Sequence, residues 1–299
     1  MQTLFSRTHL PGVLLLSVFF GTNIVFSRFS LTQYHPLGFV ATRMLIAAPL
    51  ALIWLLVRNR TLPRGRTLWL HGTVVGITAT LIPMMLFVSA LQYQSSGVTA
   101  LMVSMVPLSS MFFAHIRLGD DRLTPYKIVG ALTSLAGVLL LLVTGETGLG
   151  EPRWEGFVLV FIGMIFAGFG IVHLRKYLKH ENSLAVAAVR LVSAAVAGVP
   201  VAAVAGGFDF SAVELSGIVA LAYGVLPGTL FGFVLYSWLI ARFGATRATQ
   251  VEYIVPVIAT ATGALFLDEQ VSLMMIIGMF TVFVGIGIAT GTKASRAKL

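Results

Sequence analysis

The sequence predicts an all-α integral membrane protein in which ten transmembrane helices form two inverted five-helix repeats. Three observations carry that expectation. The 299-residue chain is 57% hydrophobic and only 10% charged, with a mean hydropathy of +0.93. It divides into ten apolar runs, each long enough to cross a bilayer. Its two halves also match at a nearly constant offset, and an odd number of crossings per half must turn the second half over.

Composition decides the solvent. A soluble domain carries about 25% charged residues, so this chain has too little polar surface to cover a water-exposed globule. The net charge of +9 and the pI near 10.3 would suit nucleic acid, but the placement of the charges excludes it. There is no cysteine, which excludes disulfides, thiolate metal sites and thiol redox switches.

A crossing needs about 20 mostly apolar residues, because the hydrocarbon core is about 30 Å thick. The first run, 10–30, follows Arg7 and begins like a signal peptide over Val13 to Phe20. No small-residue cleavage pattern follows, and hydrophobicity continues through Gly21-Thr22-Asn23 to Phe29, so it reads as an uncleaved span. His35-Pro36 opens the second run, 36–57, and Asn59 to Arg66 separates it from the third, 68–92. The fourth, 96–116, ends at Gly119-Asp120-Asp121, and the fifth, 125–143, ends in the loop from Gly145 to Pro152. Runs six to eight cover 156–175, 183–205 and 215–240, with Gly206-Gly207 after the seventh. The ninth, 245–267, turns at Asp268-Glu269 into the tenth, 272–291. Helices are required, because an open strand leaves backbone groups unsatisfied in lipid.

With the N-terminus in the cytoplasm, that side receives Arg7, Arg58, Arg60, Arg64, Arg66, Arg117, Arg122, Lys127, Arg175, Lys176, Lys179, Arg242, Arg247, Lys293, Arg296 and Lys298. The far side receives only Arg28 and Arg153, with Glu146, Glu151, Glu155, Asp209, Glu214, Asp268 and Glu269. This asymmetry predicts a multi-pass protein with both termini cytoplasmic. It puts the basic residues beside anionic lipid rather than nucleic acid.

The repeat shows in the order of its matches. A shift of 147 lays Gly21, Ile24, Val25 and Arg28 on Gly168, Ile171, Val172 and Arg175, and Arg43 on Arg190. A shift of 149 lays Pro107 on Pro256, and one of 148 lays Thr124, Gly130 and Gly137 on Ser272, Gly278 and Gly285. Residues 1–145 and 150–299 therefore read as two copies of one unit. Inverted repeats are the signature of carriers that alternate access around a midplane site.

Phe20-Gly21-Thr22-Asn23, Arg43 in the second span and ALQYQSSGVTALMVSMVPLSSMFF (90–113) resemble the EamA repeat of the drug/metabolite transporter superfamily. FLDEQVSLMMIIGMFTVFVGIGI (266–288) resembles that repeat's closing segment, with its acidic turn. The resemblance covers nearly the whole chain in two copies. It implies a ten-helix carrier in a bacterial inner membrane, of a family whose members include exporters of amino acids, aromatic ones among them. Two features depart from the pattern. Leu118-Gly119-Asp120-Asp121 replaces the usual Glu-containing turn of the first repeat. The first span, whose polar residues are Asn23 and Ser27, lacks the membrane Glu of the small four-helix multidrug relatives.

Glu252 stands out as an acid inside a span, where a central carboxylate costs about 2.5–3.5 kcal/mol. The repeat offset lays it on Val103, so it belongs to the second half alone. Three readings stay open: a paired structural carboxylate, a titrating coupling group, and a contact for a substrate ammonium. Arg190 has the same expected depth as Glu252 and is the favoured partner, whereas Arg43 lies about 10 Å away along the membrane normal. Arg43 is then the cation left for a substrate carboxylate, although either Arg could instead snorkel to the interface. The candidate substrate-binding set is Thr22, Asn23, Arg43, Tyr223, Glu252 and Tyr253, with Arg190 and Glu252 as structural or coupling residues. Pro83, Pro107, Pro227 and Pro256 are candidate hinges, since each removes a backbone donor. Trp54, Trp69 and Trp154 read as interface anchors and His173 as a packing residue. Gly287 and Gly291 read as a helix-packing or weak dimer face.

Catalysis is not expected. The sequence has no GxxxxGK[ST] phosphate loop and no ligand spacing among its six His, so neither cofactor nor metal is expected. The leading expectation is a secondary carrier exporting amino acids or similar small metabolites, as a monomer or weak dimer in the lipid bilayer. A nucleotide-sugar or sugar-phosphate carrier would call for more mid-span Lys and Arg. A membrane sensor or assembly protein whose helices only pack would leave Glu252 and the inverted repeat unexplained.

Overall fold

The computed structural model describes residues 9–59, 62–118, 123–149, 153–243 and 250–296, and no strand occurs among them. Among the described residues eight helical rods are long and apolar enough to cross a membrane, and two further apolar stretches, Val251–Leu267 and Leu273–Ala289, are shorter. In chain order the rods are α1 (Leu10–Ser30), α2 (Pro36–Asn59), α3 (Arg66–Ala90), α4 (Ser96–Arg117) and α5 (Pro125–Thr144). They continue with α6 (Trp154–Tyr177), α7 (Ser183–Val204), α8 (Leu215–Phe243), α9 (Val251–Leu267) and α10 (Leu273–Arg296). Each follows from its apolar run and from local end chemistry. Asn182 Oδ1 accepts from the Leu184 and Ala185 N–H groups at the start of α7, at 2.9 and 3.2 Å. Gly145, at φ 70°, closes α5.

The structure departs from the sequence expectation in α9. The run from 245 was expected to be one helix, but Gln250 lies in a turn and the helix starts at Val251, giving 17 residues. Residues 244–249 lie outside the described residues.

Two rods are irregular at matching places. In α3 a π-helical turn occupies Ile77–Leu81, and in α8 another occupies Leu226–Phe231. A π turn admits an extra residue and is stabilised by what surrounds it rather than by its own bonding. Pro83 lies two residues after the first of these turns and Pro227 lies within the second. Pro107 follows a break in α4 at Ser104–Met105, whereas Pro256 sits inside the continuous helix α9.

The main pairings keep their pattern when five is added to a helix number. α1 packs on α9 as α6 packs on α4, and α3 packs on α6 as α8 packs on α1. α2 packs on α7, and α5 on α10. The last seam is the tightest. A Cβ added at Gly130 would lie 2.4 Å from the Gly285 carbonyl, one at Gly137 would lie 2.8 Å from the Gly278 carbonyl, and Ser134 Oγ donates to Val282 O at 3.2 Å. Small residues let the two backbones touch, which is how helices associate when lipid removes the hydrophobic incentive. Gly287, by contrast, meets nothing within 4 Å, so it does not pack within the chain. Large apolar side chains face outward, among them Val143 at 83% and Val204 at 93% exposure, as a lipid-facing surface requires.

Hydrogen bonds gather the loops onto two faces. Ser95 N–H donates to Thr147 O, Gln270 N–H to Gly148 O, and Glu214 N–H to Gln33 Oε1. These tie the α1–α2 turn to the α7–α8 turn and the α3–α4 and α9–α10 turns to the α5–α6 turn, and Arg28 at the end of α1 joins the two groups by donating to the Leu91 and Gln94 carbonyls, all on the acidic face. There the exposed Asp209 carboxylate is held below the usual range by hydrogen bonds from Ser211. Arg58, Arg117 and Arg175 lie at the opposite helix ends and mark the basic face.

Candidate functional site

The second π turn builds a polar cluster around Arg43. Its Thr229 hydroxyl donates to Gly224 O at 2.9 Å and accepts from Arg43 Nε at 2.8 Å. Arg43 is 1% exposed, and its stem passes Gly224, where an added Cβ would lie 3.4 Å from Arg43 Cδ. One guanidinium nitrogen, Nη2, and the Oδ1 of Asn23 are buried without a hydrogen-bond partner. Both face the same spot: a Cβ at Gly228 would lie 2.2 Å from Asn23 Oδ1 and 3.0 Å from Arg43 Nη2. A buried donor or acceptor left unmade costs about 1–3 kcal/mol, and more for a charged group. The pair offers one cationic donor and one acceptor side by side.

Thr22 and Tyr223 border this cluster, with Oγ1 and the phenol oxygen 2.6 Å apart. Thr22 Oγ1 also donates to Val18 O at 2.5 Å, so its proton is committed and the Tyr223 phenol is the donor between them. Phe26 stacks on Tyr223 with ring centroids 4.3 Å apart. Beyond Thr22 lies a cavity of about 930 Å³ between α1, α8 and α9. Phe26, Phe29, Val219 and Phe266 line it, and Glu214 and Ser216 stand where it meets the acidic face.

A related arrangement surrounds Arg190. Its Nε and Nη2 both donate to Thr80 Oγ1 in the first π turn, at 3.2 and 2.9 Å, and its guanidinium lies 5.6 Å from the Phe233 ring centroid. The expected Arg190–Glu252 pair is therefore not formed. Depth was one coordinate of that inference; the other is the neighbouring helix. α7 packs on α2 and α3, whereas α9 packs on α1 and α4. Nor is Glu252 mid-span. It stands in the first turn of α9, where the helix dipole favours a carboxylate, and no ion-pair partner lies within 4 Å among the described residues. Tyr253 packs on Phe283 of α10 at 5.9 Å, in a different core cluster. The structure thus brings Thr22, Asn23, Arg43 and Tyr223 together and leaves Glu252 and Tyr253 apart from them.

Two clusters were not foreseen. On the acidic face Glu269, 2% exposed at its side chain, pairs with Arg28 at 2.9 Å and accepts from Ser96. Its signal was available, because Arg28 is one of two cations expected on that side and Glu269 lies in an acidic turn. Near the basic face His71 Nδ1 and His173 Nε2 are 3.0 Å apart, with Tyr177 stacked on His71 at 4.2 Å. His173 does pack, as expected, but its Nδ1 is buried without a partner. Trp69 and Trp154 are exposed as interface anchors would be, whereas Trp54 packs edge-on against Phe231 at 6.3 Å. Among the described residues no group of three His, Asp or Glu could hold a metal.

Comparison with known proteins adds the family. The model of the EamA-like transporter family matches residues 10–143 and again 154–291. The inner membrane transporter YedA of Escherichia coli K12 is 29% identical over 249 residues, 83% of this chain and 79% of that one. A protein of the same organism named as a probable amino-acid metabolite efflux pump is 24% identical, covering 92% of each chain. The Bacillus subtilis transporter YoaV is 24% identical over 95% of this chain and 97% of its own. A solved crystal structure shares the fold with a TM-score of 0.63 at 20% identity, over 94% of this chain and 95% of that one.

Proposed function

The chain belongs to the EamA-like transporter family, and from that premise we propose a secondary carrier that exports amino acids or similar small metabolites by alternating access. The observation that carries the reading is the buried, unpartnered pair at Gly228. Arg43 Nη2 is positioned for a substrate carboxylate and Asn23 Oδ1 for its amino group. Thr22 and Tyr223 close the cluster towards the apolar cavity.

The architecture in this reading is ten crossings, as two inverted repeats over 1–145 and 150–299, with both termini in the cytoplasm of a bacterial cell. Support comes from the doubled family match, from the pairings preserved on adding five, and from the two π turns. The name of the E. coli efflux pump relative bears on the substrate class. Three of the four hinge prolines lie at helix irregularities, where bending is least costly. Exposed Gly287 leaves the weak dimer face as an option beside the monomer.

Uptake into liposomes against a panel of amino acids tests the proposal. Substrate should accumulate, and Asn23→Leu should abolish discrimination between an amino acid and its des-amino analogue. No transport of any carboxylate-bearing metabolite by folded protein would overturn it. Reporter fusions at Gly65 and Lys179 should be cytoplasmic and at Gly148 and Gly207 outside; a cytoplasmic Gly148 fusion would break the inverted topology.

A further inference from the structure

The acidic face is fastened at one point by a buried ionic cluster. Glu269 follows Asp268, whose left-handed backbone (φ 52°) ends α9 and folds the chain back, so that Glu269 N–H donates to Gly263 O at 3.3 Å. The carboxylate then lies over Gly263, where a Cβ would be 2.1 Å from Oε2. Oε1 receives Arg28 Nε, Ser96 N–H and Ser96 Oγ at 2.9, 2.9 and 2.8 Å, and Oε2 receives Ser96 N–H at 3.0 Å. Arg28 spends its remaining reach on the Leu91 and Gln94 carbonyls. One carboxylate therefore ties the end of α1, the start of α4 and the α9–α10 turn.

These three helices also meet below the cluster. Ala100 of α4, 1% exposed, packs in one apolar cluster with Val13 and Leu16 of α1 and Val255 and Ala259 of α9. Thr260 Oγ1 of α9 stands against Gly97 of α4 but donates to Met279 of α10, so the ionic cluster above is the polar tie across all three helices. We infer that the Arg28–Glu269–Ser96 cluster is the latch that holds the α1–α4–α9 seam closed at the acidic face, and that parting these helices requires its release. The inference rests on the carrier reading for its purpose, but not for its test.

The sequence holds no cysteine, so a single introduced thiol reports alone. The experiment uses the full-length protein in nanodiscs, labelled with a charged maleimide at Ala100→Cys. A second reporter, Ala114→Cys, lies in α4 near the basic face and is 3% exposed. Glu269→Gln should raise the labelling rate at Ala100→Cys by at least about tenfold, since a buried pair that loses one partner is strongly destabilised. Gly263→Ala should do the same with both charges in place, by displacing the carboxylate. The Ala114→Cys rate should not rise, because opening one face closes the other. General loosening of the fold would raise both rates and would overturn the latch, as would unchanged labelling at Ala100→Cys. Should Glu269→Gln fail to fold, Ser96→Ala removes a single donor and gives the same two-reporter result in milder form. No substrate is needed, so a protein that transports nothing would sink the carrier reading while leaving the latch standing, and unchanged labelling would do the reverse.

Discussion

Arg43 and Arg190 occupy matching places in α2 and α7, and each reaches a threonine in a π turn of the opposite half. Their surroundings differ at two small positions. Beside Arg43 stand Asn23 and Gly228, and the missing Cβ at Gly228 lets Asn23 Oδ1 and Arg43 Nη2 come close to the helix while both stay unpartnered. At the matching places beside Arg190 stand Gly170 and Ala79, in contact: a Cβ at Gly170 would lie 2.5 Å from Ala79 Cβ. Arg190 brings two donors to Thr80 and lies over Phe233. The difference teaches that one scaffold packs an apolar contact beside one arginine and a polar, unsatisfied one beside the other. Exchanging a glycine and a polar residue across two helices makes that change.

The largest expected effect separates the two arginines. Arg43→Gln should lower the initial transport rate in liposomes by a factor corresponding to about 2–5 kcal/mol, the usual loss when one partner of a buried charged contact is truncated. Arg190→Gln should keep transport within about threefold and lower the melting temperature instead, through its lost hydrogen bonds. Equal transport losses would erase the distinction.

Next comes the glycine exchange. Gly228→Ala places a methyl against Asn23 and Arg43, and overpacking of about 1–3 kcal/mol should reduce transport by about tenfold or more. Ala79→Gly should cost about 1 kcal/mol of helix stability and leave transport unaltered. A Gly228→Ala protein with full activity would move the guest elsewhere.

The smallest effect concerns Glu252. In the first turn of α9 its removal by Glu252→Gln should cost about 0.3–1 kcal/mol by thermal unfolding. The Arg190→Gln/Glu252→Gln double variant should be additive within about 0.5 kcal/mol, because the two do not touch. Recovery of stability in the double variant would restore the ion pair that the structure lacks.

Much of this arrangement was legible before any coordinates. Apolar runs located the rods, because length and hydropathy are properties of one segment at a time. The offset found Arg43 and Arg190, since a charge inside an apolar run is conspicuous wherever it folds. Their threonine partners were not visible. Thr80 and Thr229 are ordinary residues in ordinary runs, and only the π turns and the crossing of the two halves aim them. The Glu252–Arg190 pairing failed for a related reason: residue counting gives depth, but not which helix stands alongside. Glu269 and Arg28 were both assigned to the same side by charge counting, which weighed them as topology and missed their contact.

The glycine seam between α5 and α10 has a temporal consequence. α10 leaves the ribosome well after its partner α5, with four rods between them. At about 5–20 residues per second, α5 spends on the order of ten seconds in the bilayer with Gly130 and Gly137 uncovered. During that interval its notched side meets only lipid, or the same side of another nascent copy. A ribosome stalled before Leu273 would release a chain whose most closely fitted surface has no mate, and quality-control proteases would meet it in that state.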